Sequence, residues 1–221
     1  MSYSRTGRSI VVNARALKSA KSANGASAAT VPVTAIPSTS ATAAGFAPPG
    51  WRVEKRITAN LDGVPPADLV VGLTQASGGI YAGGDGSRAL VLALGRTGGF
   101  RRAGVAPRLL GCSVCGGTFW GTRPMPVTLR VAGRVLTVRQ QFGSNVVTAT
   151  THRIAWNAAA GGFRLIGLDS SVTDRRTDLT TATSTNHLTR RQTTVRRRGS
   201  TVLSSRTRTV AVQPRRLAGL T

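Results

Sequence analysis

The sequence predicts a mainly β fold, with antiparallel hairpins forming a single β-rich domain behind a disordered N-terminal segment. Three observations carry this expectation. From Trp51 onward, short runs rich in Val, Leu, Thr and Phe are separated by Gly, Pro, Asn and Asp. Two pairs of these runs have hairpin spacing. No stretch keeps apolar residues at helical spacing for more than two turns.

Residues 1–48 read as a leader and linker. The stretch SANGASAATVPVTAIPSTSATAAGFAPPG, from Ser22 to Gly50, is low in complexity. Its Ala, Ser and Thr offer too little apolar surface to offset the entropy of ordering. Arg5 and Arg8 supply the basic start of a secretory leader, and Ala26-Ser27-Ala28 fits a cleavage site. The apolar run between them stops at Asn13 and Arg15, so no convincing signal peptide is present.

Residues 49–221 form the expected β-rich domain. Leu69-Val70-Val71 and Ala89-Leu90-Val91-Leu92-Ala93-Leu94 are continuous apolar runs and suit buried strands. Val127, Leu129 and Val131 alternate with Thr128 and Arg130, the period of a half-exposed strand. A turn at Ala132-Gly133 leads into residues 134–142 and closes a hairpin. Asn145 to Trp156 carries Val146, Thr148, Thr150, His152, Ile154 and Trp156 on one face, and pairs through a Gly-rich turn with Phe163 to Leu168. Residues 180–212 have β-propensity but little apolar content, which places their strands at the periphery.

Two passages carry a family resemblance. Pro49-Gly50-Trp51 runs through Asn60-Leu61-Asp62-Gly63 to Ala67-Asp68-Leu69-Val70-Val71-Gly72. This resembles the aspartate-rich loop and strand of FG-GAP and VCBS-type repeats, whose D-x-D-x-D-G-x-x-D-L loop binds calcium. Cys112-Ser113-Val114-Cys115-Gly116-Gly117, Phe163 to Gly167 and Thr183-Ser184-Thr185-Asn186-His187-Leu188-Thr189 form the second passage. Together they resemble a family of uncharacterised bacterial exported proteins with an FG-GAP-like segment, a CxxCGG motif and a TSxNxLT motif. The resemblance divides the domain into an FG-GAP-like part, residues 49–110, and a CxxC and hairpin part, residues 111–221. It implies a periplasmic or secreted location and transfers no activity.

Aligned on the family's loop, Asn60, Asp62 and Asp68 stand at the first, third and ninth positions as calcium ligands. Val64 occupies the fifth position and Pro65 replaces the turn glycine. Two carboxylates and one amide make a weak set for an ion that takes six to eight oxygens. The competing reading is a Pro-stiffened turn before a buried strand.

Cys112 and Cys115 are two cysteines with two readings. In an oxidising compartment they form a local disulfide across a Gly-rich turn. Half a zinc site would need His152 and His187 as its remaining ligands. Catalysis has no motif behind it: G-x-S-x-G, H-E-x-x-H and G-x-x-x-x-G-K-[ST] do not occur. Asp169 and Asp174 are a candidate carboxylate pair, but their Ser and Arg neighbours suit a solvated loop equally. His152 shares a face with Ile154 and Trp156 and reads as packed. The expectation is a protein that is not an enzyme and needs no cofactor, with calcium or zinc as the alternatives named above.

Electrostatics supply the strongest signal. The chain has 221 residues and a net charge of +23, and no apolar run approaches the ~18–20 residues of a membrane-spanning helix. After Asp178 no acidic residue follows. Arg190, Arg191, Arg196, Arg197, Arg198, Arg206, Arg208, Arg215 and Arg216 do. Such a field attracts nucleic acid or a cell-surface polyanion. The last aromatic is Phe163, so the stacking partners of base recognition are missing from this end. Two readings stand: a non-enzymatic exported β-domain with a binding or structural role, or a basic module that grips polyanions without sequence preference.

Overall fold

A computed structural model describes residues 30–76, 86–121 and 123–220. Among these residues, strands dominate and assemble into two antiparallel sheets. The first contains β1 (Thr39–Ser40), β2 (Trp51–Ala59), β3 (Asp68–Gln75), β4 (Arg88–Arg96) and β5 (Gly99–Ala106), in the order β1-β5-β4-β3-β2. The second is a meander of β6 (Val127–Ala132), β7 (Val135–Gly143), β8 (Val146–Asn157), β9 (Gly162–Asp174), β10 (Leu179–Asn186), β11 (Arg191–Arg198) and β12 (Thr201–Thr209). A last short strand, β13 (Arg215–Arg216), pairs with β9 at Leu165 and Arg164.

The unbroken apolar runs of β3 and β4 follow from burial on both faces. Val70, Leu90, Leu92 and Leu94 point toward the second sheet and pack with Leu136, Val138, Ile154, Phe163 and Leu165. Their alternating neighbours Leu69, Val71, Leu73, Val91 and Ala93 point the other way. That outer face is covered by Val31, Ile36, Ala43 and Phe46, all buried.

This cover corrects the expectation that residues 1–48 are unstructured. Residues 1–29 lie outside the described residues, but residues 30–48 are pinned to the sheet by buried side chains at Val31, Ile36, Ala43 and Phe46. Four apolar anchors suffice to roof a sheet face, and a composition averaged over the whole stretch hides them. Backbone shape comes from 3₁₀ turns at Val33–Ala35 and Ala44–Phe46 and from the pairing of β1 with β5. Arg102 adds a clamp by donating to the carbonyls of Val33 (2.8 Å) and Ile36.

Both expected hairpins form. β6 and β7 join at Gly133 and Arg134, whose φ values of 53° and 64° are the two positive angles of a type I′ turn. β8 has the twelve residues expected of it, shifted by one, whereas β9 runs to thirteen, about twice the expected length. Beyond β9, the strands β10 to β12 extend this sheet as a wing. All nine residues of β12 are exposed. Among the described residues no helix is long and apolar enough to cross a membrane.

Candidate polyanion-binding face

Strand register sorts the wing's arginines by face. Residues paired across an antiparallel ladder point to the same side, and alternate residues point to opposite sides. Arg196 pairs with Thr181 and Ser204, and Arg198 with Leu179 and Thr201. Arg206 pairs with Thr194, and Arg208 with Gln192. All four therefore share the face that, nearer the core, carries His152 and Ile154. Arg191 and Arg197 point to the opposite face. Arg190 occupies the turn before β11 with φ 57°, and Arg215 and Arg216 lie apart on β13.

The four arginines follow one another along the hairpin in the order Arg198, Arg196, Arg206, Arg208. Successive positions are two residues apart along the ladder, roughly 7 Å, so the stripe is about 20 Å long. No arginine of the stripe stands directly opposite another, which avoids the worst like-charge repulsion. Each faces a hydroxyl, an amide or an aliphatic neighbour instead. Arg208 is held in place by Gln192, whose Oε1 accepts from Nε at 3.1 Å and Nη2 at 2.8 Å. Gln192 in turn donates to Thr185 Oγ1 at 3.0 Å. Among the described residues, none of the nine arginines from Arg190 onward forms an ion pair.

The loop aligned with calcium sites is occupied by its own backbone. Asp68 is completely buried. Its Oδ2 accepts from the amides of Leu61 (2.7 Å) and Asp62 (3.0 Å), and its Oδ1 from Gly95 (2.9 Å). Asn60 Oδ1 takes the Gly63 amide, and Asp62 Oδ1 takes that of Val64 at 2.8 Å. Oxygens spent on backbone donors do not fit a calcium ion, and Asp68 acts as a staple between this loop and β4. Gly95 is required there, because a Cβ would stand 2.4 Å from the carbonyl oxygens of Pro66 and Ala67.

Cys112 and Cys115 are joined in a disulfide, which leaves no thiolate for zinc. The bond sits in the connector between the sheets. Among the described residues no three His, Cys, Asp or Glu side chains group as a metal site. Asp169 and Asp174 are both on β9, five residues apart, and so face opposite sides of the sheet. They do not form a pair. Asp169 instead binds Arg153 and Ser184.

His152 is buried, as its strand face implies. Desolvation, and then the nearby Arg215 guanidinium, lower its pKa from 6.5 to about 4. His187 is buried just beyond β10 and is lowered by the same two causes, against hydrogen bonds to the backbone of Leu165 and Gln213 that raise it. Nδ1 of each ring has no partner among the described residues. Two neutral imidazoles thus line the place where the C-terminal segment returns to β9.

One buried ionic cluster escaped the sequence. Glu54 is the extra residue of a β-bulge in β2, where pairing with β3 shifts between Val53 and Lys55. The bulge aims Glu54 at Arg88 of β4, and two bonds of 2.6 and 2.7 Å join them. Arg88 also donates to the carbonyls of Met125 (2.7 Å) and Gly111 (3.3 Å). It thereby ties both ends of the connector to the first sheet. Gln140 completes the clamp by bonding the backbone of Leu109 and Gly111. A lone charged residue at the head of an apolar run was the available signal.

No protein-family model, curated protein or solved structure matches the chain.

Proposed function

We propose that this protein is a non-enzymatic, exported or periplasmic β-domain whose projecting wing binds a linear polyanion. The observation that carries the reading is the stripe Arg198, Arg196, Arg206, Arg208 on one face of an exposed hairpin. A row of guanidiniums about 20 Å long, without ion-pair partners among the described residues, is complementary to a chain of regularly spaced anions. The absence of aromatic residues after Phe163 argues against base stacking, so recognition is of charge rather than sequence. The disulfide between Cys112 and Cys115, together with the family resemblance, supports a compartment outside the reducing cytosol.

The test is a fluorescence-anisotropy titration against a labelled duplex oligonucleotide, used as a generic polyanion, at several salt concentrations. Four phosphate contacts give a slope of log affinity against log salt of about −3.6. Binding should be indifferent to sequence, weaken along that slope and stay measurable at physiological ionic strength, and its loss there would leave a basic surface without a binding role. Submicromolar, sequence-selective binding at physiological salt would replace this reading with that of a nucleic-acid reader.

A further inference from the structure

The opposite face of the same sheet holds a second feature. A trough of about 520 Å³ crosses β7 to β11 on the side away from the core. That volume lies within the roughly 300–1,000 Å³ of small-molecule sites. Its floor is low because Ala149 and Ala182 are small, while Arg139 and Arg153 rise at one end. Ladder register puts these residues on one face: Arg139 is opposite Thr151, which is opposite Asp169, which is opposite Ser184, which is opposite Thr193.

The charges in the trough do not cancel. Arg153 spends Nη2 on Asp169 Oδ2, and Ser184 donates to Asp169 Oδ1 at 2.7 Å. Both carboxylate oxygens are therefore engaged, and Asp169 stays ionised. Burial opposes its charge, but the bonds from Arg153 and Ser184 hold its pKa below the usual value. Arg139 has no ion-pair partner among the described residues. One positive charge is left over, beside a carpet of hydroxyls from Thr137, Thr151, Ser171 and Thr193.

We propose that this trough binds a hexuronate, a sugar whose carboxylate seats on Arg139 and whose ring hydroxyls meet the Thr and Ser side chains. A planar guanidinium fork matches a carboxylate and selects it over a spherical anion. Hydroxyl side chains both donate and accept, as a sugar's own hydroxyls require. The trough has no aromatic lining, so a neutral sugar lacks a stacking platform and the carboxylate must supply the anchorage. With Asp169 paired to Arg153, Arg139 is, among the described residues, the one uncompensated charge of the trough, which suits a ligand carrying a single negative charge with hydroxyls around it. This site does not depend on the arginine stripe, which lies on the other face.

The experiment is an NMR chemical-shift titration of the full chain with sodium glucuronate, a short oligouronate, glucose and sulfate in parallel. Glucuronate should shift the amides of Thr151, Asp169 and Ser184 saturably. Glucose and sulfate should each bind at least ~10-fold more weakly, since each lacks one half of the complement. Tighter binding of the oligouronate than of the monomer would identify a polysaccharide unit as the source, and equal binding would identify the free sugar acid. Arg139→Gln should weaken glucuronate at least ~10-fold, and Ala182→Leu, which fills the floor, should do likewise. Arg208→Gln on the other face should change nothing. Equal binding of sulfate and glucuronate, shifts confined to the arginine stripe, or no saturable shift at 20 mM (roughly the weakest affinity a specific site of this kind would show) would overturn the proposal.

Discussion

Acid should destabilise this protein through His152. The side chain is buried under the C-terminal return, and its pKa falls from 6.5 to about 4 in the folded state. Between those values the unfolded chain binds a proton that the folded chain refuses. Stability from this group is therefore complete above pH 6.5, declines as pH falls, and is exhausted near pH 4. At about 1.4 kcal/mol for each tenfold change in proton affinity, the whole difference is about 3 kcal/mol. That is a large fraction of the roughly 5–15 kcal/mol that holds a typical domain together. His187 acts in the same direction. Asp169, lowered below the usual carboxylate value, loses its contribution only at more acid pH. The assay is urea unfolding followed by tryptophan fluorescence at intervals from pH 7.5 to 4.0, for the natural protein and for His152→Leu. The natural protein should lose stability steeply over that range, and the variant should lose about 3 kcal/mol less. Parallel curves for the two proteins would refute the burial argument.

Two further perturbations test the architecture. Arg88→Ala should cost about 3–5 kcal/mol, because it leaves Glu54 charged and partly buried without its partner; denaturant unfolding at pH 7.5 measures it, and a loss under 1 kcal/mol would contradict the clamp. Phe46→Ala should cost about 3–5 kcal/mol by opening a cavity beneath the N-terminal cover, whereas a loose leader would make the same substitution neutral in a thermal melt.

The strands were legible where the apolar pattern was local. β3 and β4 were visible as continuous runs, and the two central hairpins as alternating runs joined by Gly-rich turns. The cover was not legible, because Val31, Ile36 and Phe46 are isolated in a low-complexity stretch and gain meaning only from the sheet face they meet. Glu54 was hidden by its bulge, which breaks the period that locates a side chain. Asp169 and Asp174 looked adjacent because β9 was expected to end at Leu168; the strand continues through both, and their odd spacing separates them. The arginine-rich end was visible only as a total charge. Its division into a stripe, an opposite face and a distant β13 needs the register, which sequence does not carry. The trough was missed for the same reason, since its residues come from five strands.

The stripe is tested most directly by comparing the two faces of the wing. Arg196→Gln with Arg198→Gln removes two charges from the stripe, and Arg191→Gln with Arg197→Gln removes two from the opposite face of the same strand. Net charge changes equally, so any difference in duplex-oligonucleotide binding belongs to geometry. The stripe pair should reduce the salt slope by about 1.8, and the opposite pair should leave it within about 0.5 of the natural value. Equal losses from both pairs would show that binding follows total charge alone, and the stripe would have no special role.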